Sequence, residues 1–369
     1  MVTAICACAL ALCGAAQAAD CDGWINLFDG ETLFGWTQFG DAEWGVEDGM
    51  LEASKGTGGW LASTCQFADF ELSAKIKIKP GCSTGLVLRG GLEGHASENG
   101  STVLYISDRA PRDKKRVKWD DVVCHEVAVK AVGGSIEATI DGKAVKGLTV
   151  GRTHGHIGIQ YHHNDNAKVS IAELKLRPLN VKSIFNGETL DGWNIIPDHA
   201  SVFKVVDGAI NITDGNGQIE TAGVYKDFLL QLDIISNGDA LNSGVFYRGP
   251  VGIFWKGYES QVRNQWVKEN REKPIDFGTG GNYGNQAARK VVSTDYEWFQ
   301  KTIVCEGNHT SVWIDGYLAS DYYDTRAVSR DANGKSGYVP GPGTIHLQGH
   351  DPTTNLSFKN INIQEYAAP

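Results

Sequence analysis

Residues 28–36 read FDGETLFGW and residues 185–193 read FNGETLDGW, with two positions different. A nonapeptide written twice, about half a chain apart, marks two copies of one domain, so each feature of one copy can be tested against the other. The repeat extends beyond it. STGLVLRG at 83–90 matches NSGVFYRG at 242–249, Ile140-Asp141-Gly142 matches Ile314-Asp315-Gly316, and IGIQYHH at 157–163 matches IHLQGHD at 345–351. The second copy carries an insertion near 264–290 that the first lacks.

Apolar and polar residues alternate in Glu71-Leu72-Ser73-Ala74-Lys75-Ile76-Lys77-Ile78 and in its counterpart from Phe228 to Ile234. Period two in short runs reads as antiparallel strands. The runs are bounded by turn dipeptides at Asp48-Gly49, Asp141-Gly142, Asp207-Gly208, Asn237-Gly238 and Asp315-Gly316. Many strands without helical crossovers predict an all-β protein of two tandem jelly-roll β-sandwiches, over 19–178 and 179–369. Pro178-Leu179-Asn180 marks the junction, and no low-complexity linker separates the copies.

Residues 1–18 form an apolar stretch ending in Ala16-Gln17-Ala18, which reads as a secretory leader cleaved after Ala18, although it lacks the usual basic start. The chain is therefore expected to be exported, to a periplasmic or extracellular space, without a membrane span. The mature chain keeps Cys21, Cys65, Cys82, Cys124 and Cys305 with no C-x-x-C pair, which argues against zinc ligation by cysteine. One or two disulfides are expected among the first four, while Cys305 in Thr302-Ile303-Val304-Cys305 reads as an inert core thiol. A net charge of −10 argues against a nucleic-acid partner, and the one basic run, Lys114-Lys115-Arg116, reads as a solvated loop. The Asn-x-Ser/Thr triplets at Asn99, Asn211, Asn308 and Asn355 are of a kind frequent by chance.

Strand parity locates the chemistry. Over 257–264, Glu259, Gln261 and Arg263 share one face, and over 344–350, His346, Gln348 and His350 share another, while Arg248 ends a third strand. Inner faces of sandwich strands should be apolar, so strands presenting Glu, Gln, His and Arg together predict a polar groove on a concave sheet face. Solvent-facing residues of half-exposed strands are the plainer reading of any single segment. In the first copy Arg89, Gln160 and His162 stand where the second has Arg248, Gln348 and His350, but Val103 and Tyr105 replace Glu259 and Gln261, and Gly158 replaces His346. If the carboxylate transfers protons, only the second copy is an enzyme. The insertion has glycines without the Gly-Lys-Ser/Thr of a phosphate loop, so its Trp266, Phe277 and Tyr283 suit a lid whose aromatic faces stack on sugars, with a plain surface loop as the alternative. Arg289-Lys290 at its end would pair with Glu259 or with a ligand oxygen. His350 with Asp351, and His162 with His163, are adjacent strand residues that face opposite sides and chelate a metal poorly.

LFDGETLFGW, GWL at 59–61, NSGVFYRG, GYESQV at 257–262, EWFQKTIVCEGNHTSVWIDG at 297–316 and GTIHLQGHDPTTNLSFKNINI at 343–363 together resemble the 3-keto-disaccharide hydrolase domain family. The resemblance covers nearly the whole mature chain as two domains, more strongly in the second. It implies two concanavalin A-like jelly rolls and cleavage of glycosides already oxidised to a ketone at sugar carbon 3. The ketone acidifies the proton on carbon 2, so a base can expel the anomeric substituent by elimination and water then adds to the double bond. Carried over by motif position, the resemblance implies Glu259 and His350 as the acid–base pair, in an order left open. It implies Arg248, Gln261, Gln348, Lys290, Tyr283 and Asp351 as substrate contacts. No cofactor is implied, a divalent cation is possible, and coupling to a sugar 3-oxidoreductase follows from the substrate's chemistry.

Two other readings use the same fold. A laminarinase-type glycosidase needs two carboxylates about 5–5.5 Å apart, whereas Glu259-Ser260-Gln261-Val262-Arg263 offers one. A non-catalytic lectin would have no need of an acid–base pair, though the fold alone does not separate binding from catalysis.

Overall fold

The computed structural model describes residues 22–79, 83–93, 100–107, 123–149, 151–162 and 168–366. The leader, Cys21, Cys82, Asn99, Lys114-Lys115-Arg116 and His163 lie outside them. The described residues form strands and turns with no helix, so none could cross a membrane as a helix.

Each half pairs an eight-stranded with a five-stranded antiparallel sheet, and the strand order is the same in both halves. In the second half the five-stranded sheet runs Trp193–Ile195, Gly217–Thr221, Thr344–Gly349, Ser243–Gly249, Tyr258–Val262. Its counterpart runs Trp36–Gly40, Gly58–Phe67, Gly155–His162, Ser83–Gly90, Thr102–Ser107. Alternation drives the folding: in Phe70–Ile78, Leu72, Ala74, Ile76 and Ile78 are buried between the sheets while Glu71, Ser73, Lys75 and Lys77 are not. At Asp48-Gly49, Asp141-Gly142, Asp207-Gly208 and Asp315-Gly316 both residues have positive φ, the backbone that matches a tight hairpin to the strand twist.

The repeated nonapeptide folds the same way twice. Asp29 Oδ1 accepts the Glu31 and Thr32 amides, as Asn186 Oδ1 accepts those of Glu188 and Thr189, closing an Asx turn. The Trp36 and Trp193 indoles donate to the Leu27 and Ile184 carbonyls, each at 2.9 Å, which fixes the chain's entry into the sandwich. The two halves pack directly on one another. Leu229, Val304, Trp313, Leu318 and Tyr366 of the second half belong to the same buried cluster as the first half's core. Arg289 crosses the junction, with Nη1 2.8 Å from Asp29 Oδ2, Nη2 2.9 Å from Thr32 Oγ1, and its guanidinium 4.4 Å from the Phe34 ring.

Cys305 lies in the second core as expected. Cys65 and Cys124 are free thiols, so any disulfide of the first copy would have to involve the cysteines outside the described residues.

Candidate active site

In the second half's five-stranded sheet, Ile219, Val245, Tyr247, Tyr258, Val262, Ile345 and Leu347 turn into the core. The opposite face carries two rows across the strands. One runs Asn194, Glu220, His346, Phe246, Glu259 through successive pairs, and the other contains the pairs Gln218–Gln348 and Gly244–Gln261. Parity therefore places Glu259, Gln261, His346 and Gln348 on one face, as the sequence predicts. They are not solvent-facing, however: Gln218, Glu220, Glu259, Gln261, His346 and Gln348 are all buried. Burial of so many polar groups is unfavourable unless each finds a partner. Glu259 Oε2, Gln218 Nε2 and Gln348 Oε1 have no hydrogen-bond partner among the described residues.

Glu259 reaches across the sheet because its neighbour strand has a glycine. A Cβ on Gly244 would sit 2.6 Å from Glu259 Oε1. Burial pushes the Glu259 carboxyl up to about 7, against the pull of Lys335 and with a smaller upward push from Asp276. Lys335 Nζ stands 3.4 Å from Oε2, 3.9 Å from the Tyr283 ring centroid and 4.6 Å from that of Trp255. The cation beside Glu259 is thus Lys335, on a loop, and neither Arg289 nor Lys290. Lys290 is half-buried, with no ion pair to Glu259.

Trp255 is held at the rim with a positive φ of 61°, costly for a bulky side chain, while 45% exposed. Its amide donates to Gln218 Oε1, and Glu220 accepts the Gly252 amide and the Thr344 hydroxyl, so these two side chains pin the loop that carries it. His346 is fully buried against Thr344 Oγ1 (2.6 Å) and Gln218 Oε1 (3.2 Å), and burial holds its imidazole down at about 4. It serves as a neutral part of that scaffold.

The insertion is not a free lid. It lies along the outer edge of Tyr258–Val262, with Tyr283 N donating to Glu259 O, Gln261 N to Gly281 O and Gly280 N to Gln261 O. Tyr283 packs edge-on against Phe277 and flanks Lys335, while Trp266 lies under Arg271.

Two expected substrate contacts are struts. Gln261 Nε2 donates to Asp276 O and Oδ2, and Oε1 accepts the Val262 amide, which ties the insertion to the strand. Asp276 Oδ2 also receives Arg263 and Asn242. Arg248 turns away from the polar face, because its φ of 54° and a register shift between Phe246 and Gly249 break the alternation. Its guanidinium donates to the carbonyls of Lys226, Gly307 and Val339 and to Asp227 Oδ1. Arg89 makes the same set with Ala68, Gly133, Arg152 and Asp69, which makes it an architectural arginine of both copies.

His350 follows the Thr344–Gly349 strand, half-exposed, with Nδ1 3.0 Å from Asp351 Oδ2. Adjacency in sequence does not separate the two, because the strand has ended. Burial pushes the Asp351 carboxyl up, but hydrogen bonds from Thr353 and His350 outweigh it and hold it low. With Nδ1 turned to a carboxylate, Nε2 is the nitrogen left to act on a ligand.

The first copy has lost this face. The polar row becomes Thr37, Ala62, Gly158, Val87, Val103, and the second becomes Phe39, Trp60, Gln160, Gly85, Tyr105. A Cβ on Gly158 would lie 2.6 Å from the Trp60 ring, so the indole fills the space that His346 occupies in the other copy.

Gln218, Glu220, Trp255, Asp276 and Lys335 were not singled out from sequence. Period two in Gly217–Thr221, set against Trp60 and Ala62 of the first copy, carried a signal for the first two; loop residues such as Lys335 and Trp255 carried none.

A profile for 3-keto-alpha-glucoside-1,2-lyase-like domains matches residues 23–177 and again 180–364. A 3-keto-disaccharide hydrolase of Bacteroides thetaiotaomicron is 33% identical over 103 residues, 24% of this chain and 36% of that protein. The chain thus spans about a third of the length of the curated relative it matches. Among solved structures, a candidate glycosyl hydrolase of Parabacteroides distasonis aligns with 22% identity and a TM-score of 0.42, covering 51% of this chain and 100% of its own. A carbohydrate-binding module of Bacillus subtilis aligns with 15% identity and a TM-score of 0.35, covering 47% and 96%.

Proposed function

The chain belongs to the 3-keto-alpha-glucoside-1,2-lyase-like domain family, and on that premise we propose that its second half cleaves 3-keto-glycosides by elimination and hydration. The observation that carries this reading is Glu259: a buried carboxylate raised to about 7, whose Oε2 makes no hydrogen bond among the described residues but lies 3.4 Å from the Lys335 ammonium. A base poised near neutrality is what abstraction of a proton next to a ketone needs.

Glu259 takes the proton from carbon 2, and the C–H electrons form an enolate onto the carbon-3 oxygen. Lys335 stabilises that oxygen as charge develops. The enolate then collapses, the bond from carbon 1 to the glycosidic oxygen breaks, and a carbon 1–carbon 2 double bond remains conjugated to the ketone. His350, oriented by Asp351, gives its proton to the leaving oxygen. Water adds at carbon 1 and carbon 2 is reprotonated, which gives net hydrolysis. The free ends of Gln218 and Gln348 receive sugar hydroxyls, and Trp255 and Tyr283 wall the site. Arg248 and Gln261 have no part in binding. No step is assigned to a divalent cation: no group of three or more ligating side chains converges among the described residues, and Lys335 holds the place beside Glu259. We also propose export through residues 1–18 and a supply of substrate by a sugar 3-oxidoreductase.

Geometry disfavours direct glycoside hydrolysis. Glu220 shares Glu259's row, but its oxygens are taken by the Gly252 amide and the Thr344 hydroxyl, so it is not free to act as the second carboxylate that such hydrolysis needs. A 3-keto-glucoside and its unoxidised parent should be compared in deuterated water, wild type against Glu259→Gln. Aglycone release from the keto sugar alone, with deuterium entering at carbon 2 and both lost in the variant, is the expected result. Equal release from both sugars would overturn the mechanism, and binding without turnover would favour a lectin.

A further inference from the structure

Beneath Glu259, on the core side of the same strand, lies a fully buried lysine with no role in the chemistry above. Lys301 Nζ stands 2.9 Å from Ser260 O, 3.0 Å from Ser260 Oγ and 2.8 Å from Gln261 O. Burying an amine in a sandwich core is costly, and burial pushes Lys301 well below the usual lysine range while the charge of Glu259 opposes it. Hydrophobic packing would fill that volume more favourably, and the first copy shows that the fold accepts it. Lys301 pairs with Ile314 just before Asp315-Gly316, as Val127 pairs with Ile140 just before Asp141-Gly142. Ser260 faces Val245 across the sheet, as Leu104 faces Leu86. Where Glu259 becomes Val103, the buried lysine becomes Val127 and its serine becomes Leu104. Core packing does not require the polar set, and it accompanies the carboxylate.

Resting on the reading of Glu259 as the base, we propose that Lys301 is a positioning residue for it. Its amine clamps two successive carbonyls of the edge strand and so fixes both the reach of the carboxylate and the charge behind it. The Ser260 hydroxyl suits either protonation state, since it can accept a third hydrogen from an ammonium or donate to the lone pair of a neutral amine. Lys301 and Glu259 thus titrate as a linked pair. The other charged or titratable groups facing Glu259 are Lys335 from its loop, Asp276 and Tyr283 from the insertion, and Glu220 and His346 along the sheet.

The test uses the full chain as Lys301→Met and, in case that variant does not fold, Ser260→Ala, which removes one of the three oxygens. The Glu259 carboxyl is followed by carbon-13 NMR titration against Glu259→Gln as the assignment control, and kcat and KM are measured across pH. The expected result is an upward displacement of the Glu259 midpoint, larger for Lys301→Met, with the acid limb of kcat/KM moving in step. kcat should fall by up to about 100-fold, as for a base displaced by about an ångström, with KM little changed. An unmoved Glu259 midpoint, with only thermal stability lowered, would overturn the proposal. The titration needs no substrate, so a midpoint that moves in a protein inert towards keto-glycosides refutes the assigned reaction and leaves the linkage standing.

Discussion

Glu259→Gln should make the protein more stable, by an amount that grows as pH rises from about 4.5 to about 7 and is constant above that. The carboxyl rises from its ordinary 4.5 to about 7 on folding. A raised acid keeps its proton in the folded state after the unfolded chain has released it, so stability falls as pH climbs between those two values and is level beyond them. At about 1.4 kcal/mol per unit, the ionised carboxylate lowers stability by about 3 kcal/mol at pH 8 and by less than about 1 kcal/mol at pH 5. Glutamine has nearly the same shape and carries no charge, so it removes that penalty. Lys335, with 28% of its side chain exposed, can hydrate when it loses its partner. For a domain of this size the gain corresponds to a melting point about 6–12 °C higher at pH 8, with little change at pH 5. Thermal melts of both proteins at the two pH values measure it directly. A difference that is the same at both, or a variant less stable at pH 8, would refute the claim that the site holds its carboxylate against the cost of burial.

Other consequences are open to measurement. Lys335→Met should move the acid limb of kcat/KM upward by about one unit and lower kcat, because the ammonium is the main force holding the Glu259 carboxyl down. His350→Ala should cost about 10²–10⁴-fold on a keto-glycoside with an alkyl leaving group and far less on a nitrophenyl one, which departs without acid help; equal losses would remove His350 from that role. Arg248→Met should lower stability by about 3–5 kcal/mol in urea unfolding by leaving the Lys226, Gly307 and Val339 carbonyls without their buried donor, while the folded fraction keeps its KM. A double-mutant cycle of Asp29→Asn with Arg289→Met should give a coupling of about 1–3 kcal/mol across the junction, and additivity would show the pair to be idle.

What the sequence revealed of the site followed from one local rule, and what it concealed broke that rule. Alternation assigns the faces of Tyr258–Val262 and Thr344–Gly349 because both are regular strands. It fails at Arg248, where a left-handed residue and a bulge turn the side chain away. The repeat held a warning there: an arginine kept in a copy without the carboxylate serves the fold. Gln261 misleads differently. Its face is right, but Asp276, brought in by the insertion, claims its amide before any ligand can. Lys335 and Trp255 stand on loops, where no period exists to be read, and they meet Glu259 only through long-range packing.

The duplicated nonapeptide also explains what the first half retained. Of nine positions, two differ: Asp29 against Asn186 and Phe34 against Asp191. The Asx turn does not distinguish Asp from Asn, since both accept the same two amides. Arg289 does distinguish them, because it forms an ion pair with Asp29 and lies over the Phe34 ring. Gly35 next to them is equally constrained, since a Cβ there would meet Leu318 of the second half at 2.4 Å, whereas one on Gly192 would meet nothing. Arg289 ends the insertion whose other residues brace Glu259 and supply Tyr283. The two differences therefore mark the side of the first copy that docks on the second. With its own polar face filled by Trp60, that half acts as a buttress: it holds in place the segment on which the other half's carboxylate depends.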